Sequence, residues 1–197
     1  MTEKTTVVTA ERFAQGFTYG DFIDQINVNK DRFGQYDVTA KDAVTDEDVA
    51  FFKQAVEKGA ARVLVLGEDW CPDVYRGIPT AARVAEAAGL EMRIFPRDEN
   101  LDIMSEFLKD GEFESIPAMV FYDGEHNYLG HWIERPVIAN EQMGEIRERI
   151  MPNGTPPEGP ERDEVMKKYR DATNELAGEW RDQSLSEWRA LLEAKLT

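Results

Sequence analysis

The chain has 197 residues, a length that fits one ordinary domain with additions and suffices to bury a hydrophobic core. Its formal charge of −16 at pH 7 would repel phosphate backbones and anionic lipid, and no basic stripe interleaved with aromatic residues opposes that repulsion, so neither nucleic acid nor a membrane is an expected partner. No apolar run reaches the roughly 18 residues of a membrane span, and the first residues lack the apolar core of a signal peptide, so we expect a soluble cytoplasmic protein.

Residues 1–59 are predicted to form a helical extension that covers a sheet. Thr9 is a candidate cap of a first helix, and Thr45, followed by three acidic residues, is typical of the start of another. The apolar positions after Thr45 recur at helical spacing until Gly59, which ends that helix.

From Arg62 onward, predicted strands alternate with predicted helices, which is the pattern of an α/β core. The predicted strands cover residues 62–66, 92–95, 118–122 and 127–133, the last two joined as a hairpin at Asp123-Gly124. Three helices are predicted between or after these strands. The first follows the cysteine and ends at Gly89, the second is capped by Asn100 and ends near Gly111, and the third begins at Pro136. We therefore place the core domain at residues 60–151.

The end of the chain is predicted to be helical as well. Residues 152–160 are rich in Pro and Gly and indicate a linker, and residues 161–197 indicate a C-terminal helical extension. Ser184 and Glu187 form a candidate capping box, which would start a separate last helix. The aromatic residues of this extension would pack either on the core domain or on a second copy of the chain, so a homodimer is one of two alternatives.

The only cysteine, Cys71, follows the first predicted strand and precedes Pro72, a residue that suits the first turn of a helix. Helix N–H groups and the helix dipole favour an anion at that position, so they stabilise a thiolate over a thiol. The predicted role of Cys71 is therefore that of a nucleophile. A single cysteine also argues against a disulfide framework and fits a reducing compartment. The alternative is an inert, buried cysteine that packs as a small hydrophobic residue.

The segment from Glu68 to Val74, with Trp70 before the cysteine and Pro72 after it, resembles the active-site turn of the thioredoxin superfamily. Residues 67–71, 93–100, 115–117 and 130–136 are similar to a little-characterised bacterial branch of thioredoxin-family proteins, which typically has Gly at the position of Pro72. The resemblance implies a thioredoxin-like fold, with a mixed central sheet flanked by helices. It also implies a cis peptide bond before Pro117, near the cysteine turn.

Two positions depart from the pattern of redox-active thioredoxins. Val74 occupies the place of the second, resolving cysteine, and Val65 occupies the place of a buried carboxylate that assists proton transfer. The resemblance then implies monothiol exchange, in which Cys71 takes one half of a mixed disulfide and an outside thiol releases it. The expected partner is a protein or a low-molecular-weight thiol or disulfide, with no cofactor. The alternative is a redox-inactive module that binds a peptide or protein in the same groove.

The residues expected around the sulfur come from the turn and from the sheet edge beside it. The substrate groove is predicted to comprise Trp70, Pro72, Ile116 and Pro117, with Arg97, Glu134 and Arg135 on its rim. An arginine, either one of these or Arg76, would offset nearby acidic residues and hold the carboxylate of a small thiol such as glutathione. The alternative is that the arginines only neutralise an acidic surface.

Two acidic residues, Asp69 and Asp73, are expected to modulate the reactivity of Cys71. In the first turn of a helix Asp73 complements the dipole, yet as a neighbour of Cys71 it disfavours the thiolate. The two histidines, His126 and His131, are five residues apart and would lie on opposite faces of a regular strand. A metal site that combines them with Cys71 is therefore not expected.

Overall fold

The computed structural model describes residues 6–196, and that part of the chain forms four strands and nine α-helices. In chain order these are α1 (Ala10–Phe13), α2 (Tyr19–Gln25), α3 (Lys30–Ala43), α4 (Asp46–Glu57), β1 (Ala60–Gly67), α5 (Pro72–Ala88), β2 (Glu91–Pro96), α6 (Leu101–Met104), β3 (Ala118–Asp123), β4 (Tyr128–Ile133), α7 (Val137–Ile150), α8 (Pro160–Glu175) and α9 (Ala177–Glu193). The described residues divide into two compact units, one of residues 6–134 with 188–196 and one of residues 135–187. No helix among them is both long enough and apolar enough to cross a membrane.

The four strands form one mixed sheet in the order β2-β1-β3-β4. Strand β1 runs parallel to β2 and antiparallel to β3, and β3 runs antiparallel to β4. Leu66, near the end of β1, pairs with Phe95 on one side and with Ala118 on the other. The end of β1, the end of β2 and the start of β3 therefore lie side by side at one end of the sheet. The predicted α/β class and mixed sheet are confirmed.

Helix α5 begins directly after the cysteine and packs on the sheet through its apolar face. Pro72 occupies its first turn, where the missing N–H costs nothing, and Gly89 ends it in the left-handed region at φ 85°. Val74, Ile78 and other apolar side chains of this helix are fully buried. The predicted end of the helix at Gly89 is confirmed.

The N-terminal extension is held by its helix caps and by a bridge to the sheet. The Thr9 side chain accepts the backbone N–H of Arg12. Thr45 caps α4 at the predicted helix start, and it forms a reciprocal capping box with Asp48. Phe17 exchanges two backbone hydrogen bonds of 2.8 Å with Ile94 of β2, which is an outer strand of the sheet. The N-terminal extension therefore pairs with the outer side of β2.

Helix α6 starts after Asn100 as predicted but lacks the predicted side-chain cap, and the predicted helix start at Ser184 is wrong. Asn100 makes no capping hydrogen bond, because its side chain instead donates to Pro96 O and accepts from Arg12 Nη2, both at 2.7 Å, and the helix after it is only the single turn α6. Ser184 does not start a helix but lies within the continuous helix α9. Its hydroxyl donates to Trp180 O, one turn earlier, at 2.8 Å.

The second unit, residues 135–187, has its own small core. Its centre is formed by three buried residues. Ile146 lies in helix α7, Met151 directly follows that helix, and Tyr169 lies in helix α8. In the first unit, Trp188 of α9 is buried against Trp132 of β4, with ring centroids 5.5 Å apart at 88°. Trp188 therefore packs on the core domain, and a homodimer through the terminal helices stays a prediction. The proposed boundaries at residues 60, 151 and 161 stay a prediction.

Candidate functional site

The cysteine turn connects the end of β1 to the start of α5. Cys71 is the N-cap of α5, and its carbonyl accepts the N–H groups of Val74 and Tyr75 at 3.2 Å. A Cβ atom on Gly67 would lie 3.1 Å from both Ile78 Cδ1 and Val74 Cγ1, so the strand approaches the helix as closely as glycine allows. This close packing fixes the position of the sulfur relative to the sheet.

The sulfur of Cys71 faces the segment before β3. Cys71 is 8% exposed, and its Sγ lies 3.6 Å from Ile116 O. The peptide bond between Ile116 and Pro117 is cis. The contact with a carbonyl oxygen suits the S–H form, whereas the N-cap position favours the thiolate, so the site holds two opposed influences on the same atom. The predicted neighbourhood of Cys71, Ile116 and Pro117 is present in the structure.

Asp73 and Arg76 form an ion pair within α5 beside the cysteine. Arg76 Nη1 lies 3.6 Å from Asp73 Oδ1, and each side chain is only 9% exposed. The Asp73 carboxylate is therefore compensated from its own helix. Of the three arginines considered from the sequence, Arg76 is the one that faces Asp73.

Trp70, the residue before Cys71, has an exposed aromatic ring. Its side chain is 50% exposed, and the Arg97 guanidinium carbon lies 5.6 Å from the centre of its ring. Arg97 also pairs with Asp98 at 2.7 Å and with Glu114 at 3.5 Å. The guanidinium is thus already in contact with two carboxylates, and an incoming carboxylate would have to compete with them.

Asp69 binds the N-terminal extension. Its Oδ2 accepts the backbone N–H groups of Asn27 and Val28 at 2.9 and 3.1 Å, and its carbonyl accepts Asn29 Nδ2 at 2.9 Å. These contacts span about 40 residues of sequence, and they tie the loop between α2 and α3 to the cysteine turn. This anchoring role was not foreseen from the sequence, which suggested only an influence on Cys71.

Glu68 is a residue of the turn to which sequence reasoning assigned no role. Burial raises the pKa of its carboxyl above the ordinary value, although the hydrogen bond from the Asp98 backbone and the charge of Arg97 oppose that rise. Glu68 Oε1 accepts the Asp98 N–H at 2.7 Å, which joins the turn to the end of β2. The one sequence feature that could have pointed to Glu68 is its position directly after Gly67, the last residue of β1.

The remaining predicted residues divide between the two units. The Glu134 N–H donates to Pro117 O at 2.7 Å, and its side chain pairs with Lys109, so Glu134 lies beside the start of β3. Arg135 belongs to the second unit, where its Nη1 donates to Asn140 Oδ1 at 3.4 Å. Pro72 is half-buried in the first turn of α5.

The expectation that His126 and His131 lie on opposite faces is wrong. Strand β4 starts only at Tyr128, and its register shifts between the pairs Phe121–Gly130 and Tyr122–Tyr128, so the simple alternation of a strand does not hold there. Both histidines line the same cavity. Over residues 6–196, no three His, Cys, Asp or Glu side chains converge as metal ligands would.

The fold and the turn define a thioredoxin-like domain with a single thiol at the start of its helix. The profile of the family described as thioredoxin matches residues 16–149. The match covers more than half of the chain, and the chain belongs to the thioredoxin family.

Two solved structures share the fold at low sequence identity. One is a 1.5 Å crystal structure of a protein of unknown function from Pseudomonas aeruginosa, with 19% identity and a TM-score of 0.66 over 96% of this chain and 98% of that chain. The other is an HIV epitope scaffold, with 20% identity and a TM-score of 0.68 over 96% of this chain and 99% of that chain. No curated protein sequence matches the chain.

Proposed function

We propose that the protein is a monothiol thiol-disulfide oxidoreductase that acts on mixed disulfides through Cys71. The observation that carries this proposal is the Cys71 sulfur, held at the N-terminus of α5 and facing the residue before Pro117, with the exposed ring of Trp70 next to it in sequence. The substrates are protein or low-molecular-weight disulfides, and the setting is a reducing compartment such as the cytoplasm.

The exchange needs only one cysteine in the enzyme. The Cys71 thiolate attacks the glutathione sulfur of a protein–glutathione disulfide, the protein thiolate leaves, and Cys71 carries glutathione as a mixed disulfide. A second glutathione thiolate then attacks the glutathione sulfur of that disulfide, which releases oxidised glutathione and restores the Cys71 thiolate. Val74 is buried where a resolving cysteine would stand, so the second thiol comes from solution.

The groove residues proposed for this reaction are Trp70, Pro72, Ile116 and Pro117, with Arg97 and Glu134 as rim residues. Arg97 is the best supported of the charged ones, because its guanidinium stacks on Trp70. We expect Arg97→Gln to raise the KM for glutathione by roughly three- to tenfold with little change in kcat, as expected for loss of one charge contact. An unchanged KM would leave Arg97 with a structural role, through Asp98 and Glu114.

A redox-inactive binding module is the second candidate, and one observation favours it. The Cys71 sulfur is nearly buried and contacts a carbonyl oxygen, an environment that suits an unreactive thiol. Such a module would hold an extended peptide in the same groove by backbone contacts.

Mass spectrometry after incubation with oxidised glutathione distinguishes the two candidates. The oxidoreductase predicts one glutathione adduct on the native chain, its absence in Cys71→Ser, and its removal by reduced glutathione. The binding module predicts no adduct on the native chain while the urea-unfolded chain, which exposes the same thiol, reacts. The unfolded sample therefore serves as the control for the reagent.

A further inference from the structure

A cavity of about 420 Å³ lies between α3 and α5, and Tyr19, the first residue of α2, also lines it. Its volume falls in the range of small-molecule sites and exceeds the space of one water, about 30 Å³, more than tenfold. Pro79 and Ala82 of α5 form an apolar part of its wall. Ala82 follows Cys71 by a distance of about 16 Å along a helix, so the cavity is separate from the cysteine turn.

The charged residues of the lining balance one another. Asp37 and Glu86 are negative, and Lys41 and Arg83 are positive. A ligand with a single charge would meet side chains of its own sign as well as side chains of the opposite sign, so its net attraction to the cavity is small. A ligand with one positive and one negative group can place each group beside an opposite charge.

Asp37 offers an acceptor for the positive group. The Tyr19 hydroxyl donates to Asp37 Oδ1 at 2.6 Å. Burial raises the pKa of Tyr19, and the hydrogen bond with Asp37 raises it further, so the hydroxyl keeps its proton at neutral pH. Asp37 Oδ2 accepts no hydrogen bond from residues 6–196, and it is not buried. This second oxygen is therefore open to a donor from a ligand, such as an ammonium group.

Lys41 and Arg83 offer donors for the negative group. Lys41 lies four residues after Asp37, a spacing that puts both side chains on one face of α3 and ordinarily favours an ion pair. Within the described part of the chain, Lys41 is exposed and forms no ion pair. Arg83 Nη1 pairs with Glu86 at 3.4 Å, but these side chains are 39% and 78% exposed, so water weakens that pair. Both cations can therefore bind a ligand carboxylate.

The geometry points to a binding site for a free α-amino acid with an apolar side chain, between α3 and α5. The ammonium group of the ligand donates to Asp37 Oδ2. Its carboxylate accepts from Lys41 Nζ and from the Arg83 guanidinium, and its side chain packs on Pro79 and Ala82. An α-amino acid carries its two charges on one carbon atom, which suits an acidic and a basic residue one helical turn apart. The site uses no group of the cysteine turn and does not depend on thiol exchange.

Titration with leucine and with two analogues, followed by NMR of the ¹⁵N-labelled chain, tests this inference. 4-Methylpentanoate has the carbon skeleton of leucine without the ammonium group, and 3-methylbutylamine has the same side chain without the carboxylate. We expect saturable shifts of the Asp37, Lys41 and Arg83 amide signals with leucine at millimolar concentration. Each analogue should bind about five- to tenfold more weakly, as expected for loss of one charge-assisted contact. An analogue that binds as tightly as leucine, or no saturable shift with leucine, would overturn the inference.

Lys41→Gln tests the carboxylate contact. It should weaken leucine binding about fivefold and leave the binding of 3-methylbutylamine unchanged, because that analogue has no carboxylate. Lys53→Gln is the matched control, since Lys53 is an exposed lysine of α4 that does not line the cavity. Equal losses of leucine binding in the two variants would show that only the net charge of the chain matters, which contradicts the assignment.

Asp37→Asn tests the ammonium contact, because it keeps an oxygen for the Tyr19 hydroxyl and removes the charge. It should weaken leucine binding about fivefold without weakening that of 4-methylpentanoate, which has no ammonium group. Unchanged leucine binding would contradict the assigned role of Asp37. Cys71→Ser should bind leucine as the native chain does, so failure of the thiol chemistry and failure of this site are distinguishable.

Discussion

The two ends of the central sheet differ in the polar groups that they bury. At the end that carries the cysteine turn, Asp73 pairs with Arg76, and Asp69 accepts two backbone amides of the N-terminal extension. At the opposite end, Tyr122 Oη and His126 Nδ1 are buried and have no partner in the described part of the chain. The first end is therefore held by an ion pair and by charge-assisted hydrogen bonds, whereas the second buries two groups whose missing hydrogen bonds each cost about 1–3 kcal/mol.

Among the changes at the end of the sheet that carries the cysteine turn, breaking the Asp73–Arg76 pair should lower the free energy of unfolding most. Arg76→Met would leave the buried Asp73 carboxylate without its guanidinium, and we expect the free energy of unfolding in urea to fall by about 3 kcal/mol. Loss of the guanidinium should also slow alkylation of the thiol, because the negative charge of Asp73 beside Cys71 then disfavours the thiolate more strongly.

Arg83→Met provides a matched control in the same helix. Arg83 pairs with Glu86 at 3.4 Å with the same three-residue spacing, but the side chains are 39% and 78% exposed. We expect a loss of at most about 0.5 kcal/mol and no change in alkylation. Similar losses for the two variants would show that burial does not distinguish the pairs.

Substitution of Gly16 tests how closely the N-terminal extension packs on β2, at the end of the sheet that carries the cysteine turn. A Cβ atom at Gly16 would lie 2.5 Å from Phe95 Cε2 and 2.9 Å from Arg93 Cβ, and Phe95 pairs with Leu66 just before the turn. Gly16→Ala should therefore lower the free energy of unfolding by about 2 kcal/mol. Gly34→Ala, within α3 and with nothing within 4 Å of the added atom, should raise it by about 0.5 kcal/mol. Thermal unfolding of both variants measures the contrast, and a destabilised Gly34→Ala would contradict it.

The Asp69 carboxylate should contribute less, because its amide partners are exposed to water. Asp69→Ala removes the acceptor of two backbone N–H groups, and we expect a loss of about 1 kcal/mol in urea unfolding. Asp69→Asn keeps an acceptor oxygen and should recover more than half of that loss. If the two variants were equally destabilised, the negative charge rather than the hydrogen bonds would account for the effect.

The fold could be predicted because its signals are local. The apolar run of β1, the Pro72 and Gly89 boundaries of α5 and the capping box at Thr45 each lie within a few residues of what they determine. The family match over residues 16–149 agrees with that reading.

The details of the site could not be predicted because they depend on contacts between distant segments. Asp69 binds amides 41 and 42 residues earlier, and Asn100 accepts from Arg12, 88 residues away. Ser184 has the residues of a cap, yet the helix before it continues and its hydroxyl bonds within the helix. The register shift near Leu129, which brings the two histidines to one cavity, has no counterpart in the alternation of side chains along the sequence.

The smallest expected effect concerns pH and the histidine end of the sheet. Burial lowers the folded-state pKa of His126 and of His131 below the ordinary value of about 6.5, so the unfolded chain binds protons that the folded chain does not. Stability should therefore fall as the pH drops from 7.5 to 5.5. Each ring is partly exposed, so solvent screening limits its contribution to a few tenths of a kcal/mol.

Replacing either histidine with Phe, which keeps a ring but cannot titrate, should reduce that loss when urea unfolding is compared at pH 7.5 and 5.5. The raised pKa of Glu68 acts in the opposite direction, because the folded chain then holds its proton more tightly, but Glu68 is present in every variant and cancels in the difference. A pH dependence unchanged in both variants would mean that the folded rings titrate as free histidines do.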